Sequence, residues 1–183
     1  SEVKLLEKSD NSYKLTTDEG DYEAKSILVS TGTKHRHLEI PGEEEFYGKG
    51  VSYCAVCDGA FFKDKTVAVI GGSDSAAKEA LFLTEHASKV YIIYRKEKIR
   101  AEPINAERVE KNPKIEIINN TNITEIKGGP FVSSVKLDNP YDGKDELELQ
   151  GVFIEIGYDP QNDITKQIGL ELDERGQIKI NKK

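Results

Sequence analysis

The sequence predicts an α/β fold in which a parallel sheet carries an antiparallel meander. Residues 65–70 form an apolar run that leads into a glycine-rich turn, residues 76–87 repeat apolar side chains at helical spacing, and residues 89–94 are apolar again. Strand, turn, helix and strand in this order make one βαβ unit, whose two strands are parallel. Residues 121–149 then alternate polar and apolar side chains between turns rich in Gly and Pro, which is typical of antiparallel strands.

The N-terminal part predicts a smaller antiparallel meander. Residues 2–9, 13–17 and 21–23 alternate polar and apolar side chains and are separated by turns that contain Asp, Asn or Gly. Residues 25–31, with Ile27, Leu28 and Val29 at their centre, predict a short apolar strand. Because a few short strands with one apolar face need something to pack on, we expect residues 1–39 to be part of a domain rather than a whole one.

The remaining elements follow from the same patterns. Residues 104–111 predict a short helix, residues 115–118 a third parallel strand, and residues 121–127, 131–137 and 146–149 the strands of the second meander. Residues 151–157 predict a buried strand that returns to the parallel sheet. Residues 158–160 read as a turn, and the tail to residue 183 as a short, partly extended segment.

Length and charge limit the classes of function. A chain of 183 residues is long enough for one domain, or for one domain with part of another. The net charge of -7 argues against a nucleic acid or a membrane surface as the general partner. The sequence has neither an apolar run of membrane-spanning length nor an export leader, and its two thiols fit a reducing cytoplasm most simply.

Both cysteines of the chain lie in the stretch Cys54-Ala55-Val56-Cys57-Asp58. A Cys-x-x-Cys pair at a helix start has a lowered thiol pKa, because the backbone N–H dipoles stabilise the thiolate, which is the reactive form. Asp58 follows directly and is placed to take or give a proton. A disulfide across so short a loop removes little entropy from the unfolded chain, so redox chemistry explains the pair better than stapling does.

Two alternatives for the cysteine pair stay open. One is half of a zinc site, which would need two further Cys or His ligands, and the other is an inert buried pair. No second cysteine pair exists, His35 and His37 lie in a predicted loop, and His86 lies on a predicted helix far from the pair in sequence. We therefore expect no metal site.

The turn of the βαβ unit reads Gly71-Gly72-Ser73-Asp74-Ser75-Ala76. Glycines between a strand and a helix permit a tight turn and let backbone N–H groups approach a pyrophosphate at the helix N-terminus. The position of this motif predicts a Rossmann-like three-layer nucleotide-binding domain. Ser73 stands where the dinucleotide pattern asks for a third glycine, and its hydroxyl would either crowd the pyrophosphate or donate to it.

The end of the second strand predicts which nucleotide is bound, because a residue there reaches the adenosine ribose. The run from Tyr94 to Arg100 contains four basic residues against one acidic residue. Such an excess fits a 2′-phosphate, which Arg binds in a bidentate fork. The run therefore predicts NADPH rather than NADH, with the binding residues Tyr94, Arg95, Lys96 and Arg100. The alternative is an ordinary solvated loop.

With these motifs in place, the chain resembles the low-molecular-weight thioredoxin reductases, two-domain flavoproteins in which an NADPH domain carrying Cys-x-x-Cys-Asp is inserted into a FAD domain. The matching stretches are Ser30-Thr31-Gly32, Cys54 to Gly59, Gly71 to Ala76, Arg95 to Glu102 and Gly157 to Pro160. Three positions depart from the family pattern. Tyr94 replaces a His, Lys96 an Arg and Ser73 a Gly.

The resemblance implies a layout and a mechanism. Residues 1–39 and 159–183 would be remnants of the FAD domain, and residues 40–158 the NADPH-binding domain. Electrons would pass from NADPH through FAD to the Cys54–Cys57 disulfide and on to thioredoxin, with Cys57 facing the flavin, Cys54 exchanging with the partner and Asp58 moving the proton. Because the pair and the nicotinamide cannot face the flavin together, this domain would rotate between two positions.

The resemblance also sets expectations for the assembly and the cofactor. The parent would be a cytoplasmic homodimer, and this chain an internal piece that is inactive alone. FAD is not expected in this piece, because the family's N-terminal Gly-x-Gly-x-x-Gly unit and C-terminal Gly-Asp segment are not in the sequence. Alternatives are a non-catalytic NAD(P)-binding or thiol-sensing module, and the flavoprotein reductase of a peroxidase system.

Overall fold

A computed structural model of the chain describes residues 1–181. The chain divides into two compact units, which are described separately. The terminal unit is formed by Ser1–Arg36 together with the segment from Tyr158 onward, and the central unit by His37–Gly157. Among the described residues, no helix has the length and apolar composition of a membrane span.

The terminal unit begins with the predicted meander. Its three antiparallel strands are β1 (Val3–Lys8), β2 (Tyr13–Thr17) and β3 (Asp21–Ala24). Leu6 is buried, and its N–H donates to the side-chain oxygen of Gln167 at 2.8 Å. The tail of the chain therefore packs on the first strand.

The predicted strand at residues 25–31 is wrong. This segment is a loop, and Leu28 at its centre is 93% exposed. A run of three apolar residues fits a strand only when neighbouring strands pair with it, and within residues 1–181 none does. The next strand, β4, begins later, at Thr33–His35.

The central unit contains the predicted βαβ unit. Its elements in chain order are β5 (Val51–Ser52), α1 (Ala55–Asp58), β6 (Thr66–Ile70), α2 (Asp74–Leu83), β7 (Lys89–Ile93), α3 (Pro103–Lys111) and β8 (Ile115–Ile118). The antiparallel crossover follows as β9 (Ile123–Gly128), β10 (Val132–Tyr141) and β11 (Lys144–Glu148), and β12 (Gly151–Ile154) ends the unit. The prediction of a parallel sheet with a three-stranded meander is confirmed.

The parallel sheet has the strand order β5-β12-β6-β7-β8. One face of the sheet packs on α2, where Val69 and Ile92 meet Ala76 and Leu83 in one buried cluster. The opposite face packs on the meander in a second buried cluster. Helices, parallel sheet and meander are thus the three layers of the predicted fold class, and the carboxyl ends of the parallel strands share one edge.

The turn predicted at residues 158–160 is wrong. Tyr158–Pro160, predicted as a turn, is strand β13, and it pairs antiparallel with β4 in the terminal unit. The tail, predicted as a partly extended segment, contains the short helix α4 (Asp163–Gln167), which the prediction did not specify. A strand of three residues shows no periodicity of its own, and its partner lies more than a hundred residues away in sequence, so local patterns do not predict it.

Gly42 provides a test of how the meander is joined to the rest of the central unit. Gly42 has a φ of +88°, and a Cβ added there would lie 2.0 Å from the backbone oxygen of Ile126. Gly42→Ala is expected to destabilise the chain by about 2–4 kcal/mol, because it adds a steric clash to a left-handed backbone. Urea unfolding followed by circular dichroism measures the loss.

Gly129→Ala is the matched control. No atom lies within 4 Å of a Cβ added at Gly129, so the substitution is expected to change the free energy of unfolding by less than about 0.5 kcal/mol. Equal effects of the two substitutions would show that the close approach at Gly42 does not exist in solution.

Candidate functional site

The two cysteines lie directly after β5, in a segment that we call the dithiol loop (residues 52–58). Cys54 and Cys57 form a disulfide, and Cys54 is the N-cap of α1. The N–H of Cys57 donates to the sulfur of Cys54 at 3.2 Å. The predicted helix start at the pair is therefore present, and in the reduced protein this N–H would stabilise a thiolate at Cys54. Cys54 is half-buried, whereas Cys57 is exposed.

Asp58 is tied to the dithiol loop by Ser52. The hydroxyl of Ser52 donates to Oδ2 of Asp58 at 2.6 Å and accepts the N–H of Cys54 at 3.1 Å. Ser52 is 3% exposed, so these bonds lie beneath the loop. Sequence reasoning missed Ser52, although its place between a buried strand and the cysteine pair was a usable signal.

Glu79 connects helix α2 to the dithiol loop. Its Oε1 accepts the N–H of Ala55, between the two cysteines, at 3.3 Å. Burial, followed by the nearby carboxyl of Glu155, raises the pKa of Glu79 to about 7. Sequence reasoning missed both glutamates, because nothing in their local pattern distinguishes them from other polar residues.

The glycine turn follows β6 and is tightly packed. A Cβ at Gly71 would lie 2.2 Å from the backbone oxygen of Glu155, and one at Gly72 would lie 2.4 Å from the ring of Tyr94. Gly71 also has a φ of +147°, which L side chains rarely adopt. Both positions therefore require glycine, because a side chain at either would collide with its neighbours.

The other predicted residues of the turn have distinct contacts. Ser73 is the N-cap of α2, and its hydroxyl accepts the N–H of Ala76 at 3.5 Å. Asp74 accepts from Lys78 at 2.7 Å and from the side chain of Asn105 at 2.8 Å, and these bonds lower the pKa of Asp74 to about 2. Ser75 is exposed and Ala76 is buried. Asp74 thus joins α2 to α3.

The basic run follows β7 and returns to the glycine turn. Tyr94 is 6% exposed, and its hydroxyl accepts Nε–H of Arg100 at 3.0 Å. The backbone N–H of Arg100 donates to the oxygen of Gly72 at 2.6 Å. Arg95, Lys96 and Arg100 are all exposed. The structure therefore brings Tyr94 and Arg100 against the glycine turn.

All these groups lie at one edge of one sheet. The dithiol loop, the glycine turn, the basic run and Glu155 follow the carboxyl ends of β5, β6, β7 and β12, respectively. In open α/β sheets this edge is where ligands bind. Within residues 1–181, no group of three or more His, Cys, Asp or Glu side chains is arranged to hold a metal ion.

The comparisons with known proteins agree with this geometry. The family model described as pyridine nucleotide-disulphide oxidoreductase matches residues 1–183. A thioredoxin reductase from Mycolicibacterium smegmatis is 42% identical over 160 residues, which are 87% of this chain and 51% of that protein. The bifunctional thioredoxin reductase/thioredoxin of Mycobacterium leprae is 39% identical over 168 residues, 91% of this chain and 36% of that protein.

A solved structure is similar over nearly the whole chain. The thioredoxin reductase of Lactococcus lactis, in its FR conformation, has a TM-score of 0.87 and 42% identity, and the match covers 99% of this chain and 60% of that one. This chain spans about half the length of most curated relatives that it matches. The match along the full length shows that the chain belongs to the pyridine nucleotide-disulphide oxidoreductase family.

Proposed function

We propose that this chain supplies the nucleotide-binding and dithiol parts of an NADPH-dependent thioredoxin-disulfide reductase. The observation that carries the proposal is the shared sheet edge, where the Cys54–Cys57 disulfide and the glycine turn are joined through Glu79 on α2. The similar proteins named thioredoxin reductase support the activity, and the relative fused to thioredoxin supports thioredoxin as the partner.

The chemistry of the chain's own residues is dithiol exchange. The Cys54 thiolate attacks the partner's disulfide, one partner sulfur leaves as a thiolate, and a mixed disulfide forms. Cys57 then attacks the Cys54 sulfur, which restores the Cys54–Cys57 disulfide and releases the reduced partner. Asp58 takes the proton from the attacking thiol or gives one to the leaving thiolate, and Ser52 holds its carboxylate in place.

Reduction of the disulfide requires two electrons and two protons. In the whole protein, bound FAD would supply these electrons from NADPH, and the exposure of Cys57 supports its assignment as the flavin-facing sulfur. The backbone of Gly71, Gly72 and Ser73 would hold the pyrophosphate. Arg95, Lys96 and Arg100 would hold the 2′-phosphate, with Tyr94 fixing the guanidinium of Arg100.

The domain assignment belongs to the same proposal. We assign residues 40–158 to the NADPH-binding domain, and residues 1–39 and 159–183 to a FAD domain. The homodimer and the cytoplasmic location implied by the resemblance stay predictions.

Exchange with thioredoxin tests the function directly on this chain. The chain is reduced with dithiothreitol, freed of reductant and mixed with oxidised thioredoxin, and thiols are counted by alkylation and mass spectrometry. Once reduced by dithiothreitol, the wild-type chain is expected to reduce thioredoxin in a single exchange, without turnover, while its own disulfide forms, whereas the Cys54→Ser/Cys57→Ser variant transfers nothing. A wild-type chain that keeps both thiols beside oxidised thioredoxin would contradict the proposal and favour a thiol-sensing or nucleotide-binding module.

A dye-release assay tests which of the two cysteine sulfurs attacks the partner. A thioredoxin with one cysteine, carrying thionitrobenzoate, releases this dye when a thiol attacks it. Cys57→Ser is expected to react at least about fivefold faster than Cys54→Ser, because Cys54 is the sulfur at the helix N-cap. The reverse order would exchange the two roles.

A second prediction concerns the 2′-phosphate. By calorimetry the chain is expected to bind 2′,5′-ADP at least about tenfold more tightly than 5′-AMP, with the difference shrinking as salt rises. Tyr94→Phe should weaken only 2′,5′-ADP, because it frees the Arg100 side chain. Lys98→Gln is the matched control within the basic run and should change neither affinity by more than about twofold. Equal affinities for the two nucleotides would show that the run is a solvated surface.

A further inference from the structure

The carboxyl group of Glu79 has two different environments. Its Oε1 accepts the N–H of Ala55 at 3.3 Å, and Ala55 is fully buried between the two cysteines. Its Oε2 is buried and, among the described residues, meets no hydrogen-bond donor. A buried carboxylate oxygen without a donor is costly, so this arrangement requires an explanation.

The neighbour of that group is another carboxyl. Glu155 follows β12, is 4% exposed, and lies close enough to the Glu79 side chain to share a hydrogen bond and to act on it with its charge. Two ionised carboxylates repel and cannot bond to each other. One proton between them converts the repulsion into an O–H···O bond and supplies the donor that Oε2 otherwise lacks.

Other charged groups around α2 do not provide this donor. Asp58 on α1 is an acid and is bonded to Ser52, and Lys78, beside Glu79 on α2, pairs with Asp74 at 2.7 Å. The strands beneath α2 present the apolar Val69 and Ile92. Arg108, on α3, lines a surface groove with Lys78. The charge that acts on Glu79 is that of Glu155.

We propose that Glu79 is a positioning residue of the dithiol loop and shares one proton with Glu155. Loss of this proton changes the reactivity of Cys54 and Cys57. The inference rests on the proposed function in that it takes these cysteines to be the exchanging pair. With the proton present, the carboxyl beneath Ala55 is neutral. After the proton is lost, a negative charge lies beside the start of α1, where it opposes a thiolate and raises the pKa of the thiols.

Carbon-13 NMR of the glutamate carboxyls tests the shared proton. In the oxidised chain one resonance is expected to titrate near pH 7, following the pKa of about 7 raised by burial and by Glu155. This resonance should be missing from Glu79→Gln and should titrate at lower pH in Glu155→Gln, because the repelling charge is gone. The proposal is overturned if every glutamate titrates below about pH 5.5, or if the neutral-pH resonance persists in Glu79→Gln.

Stability gives a second measurement of the proton. The pKa of Glu79 rises from an ordinary 4.5 to about 7 on folding, so the folded chain binds more protons than the unfolded chain between these values. Wild-type stability should therefore fall across this pH interval relative to Glu79→Gln, whose amide can keep both bonds without titrating. A difference in unfolding free energy that stays constant from pH 5 to 8 would contradict the proposal.

The rate of thiol alkylation tests the link to the cysteines. The reduced chain is treated with iodoacetamide, and the rate for Glu79→Gln is divided by that for the wild type. This ratio should be near one at about pH 5.5, where Glu79 is protonated, and should rise to about threefold near pH 8, where only the wild type carries the charge. A merely structural role would give a ratio that does not depend on pH, and that result would overturn the inference.

Glu85→Gln is the matched control, because Glu85 lies just beyond α2 and is exposed. Its ratio should stay near one at every pH, and a rise equal to that of Glu79→Gln would contradict a specific effect of Glu79. The outcomes also separate the two proposals. Failure of exchange with thioredoxin would contradict the proposed function. Normal exchange with an alkylation-rate ratio that does not depend on pH would contradict only the role of Glu79.

Discussion

The insertion of β12 between β5 and β6 is the constraint on which the rest of the site depends. β12 pairs in parallel with both neighbours, so Phe153 lies opposite Ser52 and Ile154 lies opposite Ile70. The N–H of Glu155 continues this ladder by donating to the oxygen of Ile70 at 2.8 Å. A strand from the end of the central unit thereby fixes the spacing between the dithiol loop and the glycine turn.

This spacing leaves little room at the sheet edge. The backbone of Glu155 occupies the space that a side chain at Gly71 would need, and the ring of Tyr94 does the same at Gly72. The glycines of the turn therefore allow two neighbouring elements to pack closely against its backbone, and in the proposed function the same backbone would hold the pyrophosphate. Glu79, on the helix that follows the turn, accepts the N–H of Ala55 in the dithiol loop, and the carboxyl of Glu155 acts on it.

The sequence predicts the parts of this fold that are local. The βαβ unit, the three-stranded crossover and the helix start at Cys54 follow from periodicity and turn residues within about 30 residues of chain. Local patterns do not predict the pairing of β13 with β4, because the two strands are remote in sequence. The apolar run at Leu28 predicts a strand wrongly, because its pattern carries no information about neighbouring strands. In the site, the cysteines and glycines are recognisable by spacing. Ser52, Glu79 and Glu155 matter only through contacts that exist once β5, α2 and β12 meet.

In the proposed function, the Cys54–Cys57 disulfide exchanges electrons and does not serve as a structural link. Its midpoint potential tests this most directly, by equilibrating the chain in dithiothreitol buffers of known ratio and counting alkylated thiols at each point. A pair at a helix start that closes so short a loop is expected to have a midpoint between roughly -120 and -270 mV, the range of thiol-disulfide exchange proteins. A midpoint well below about -300 mV, typical of structural disulfides, would contradict the account.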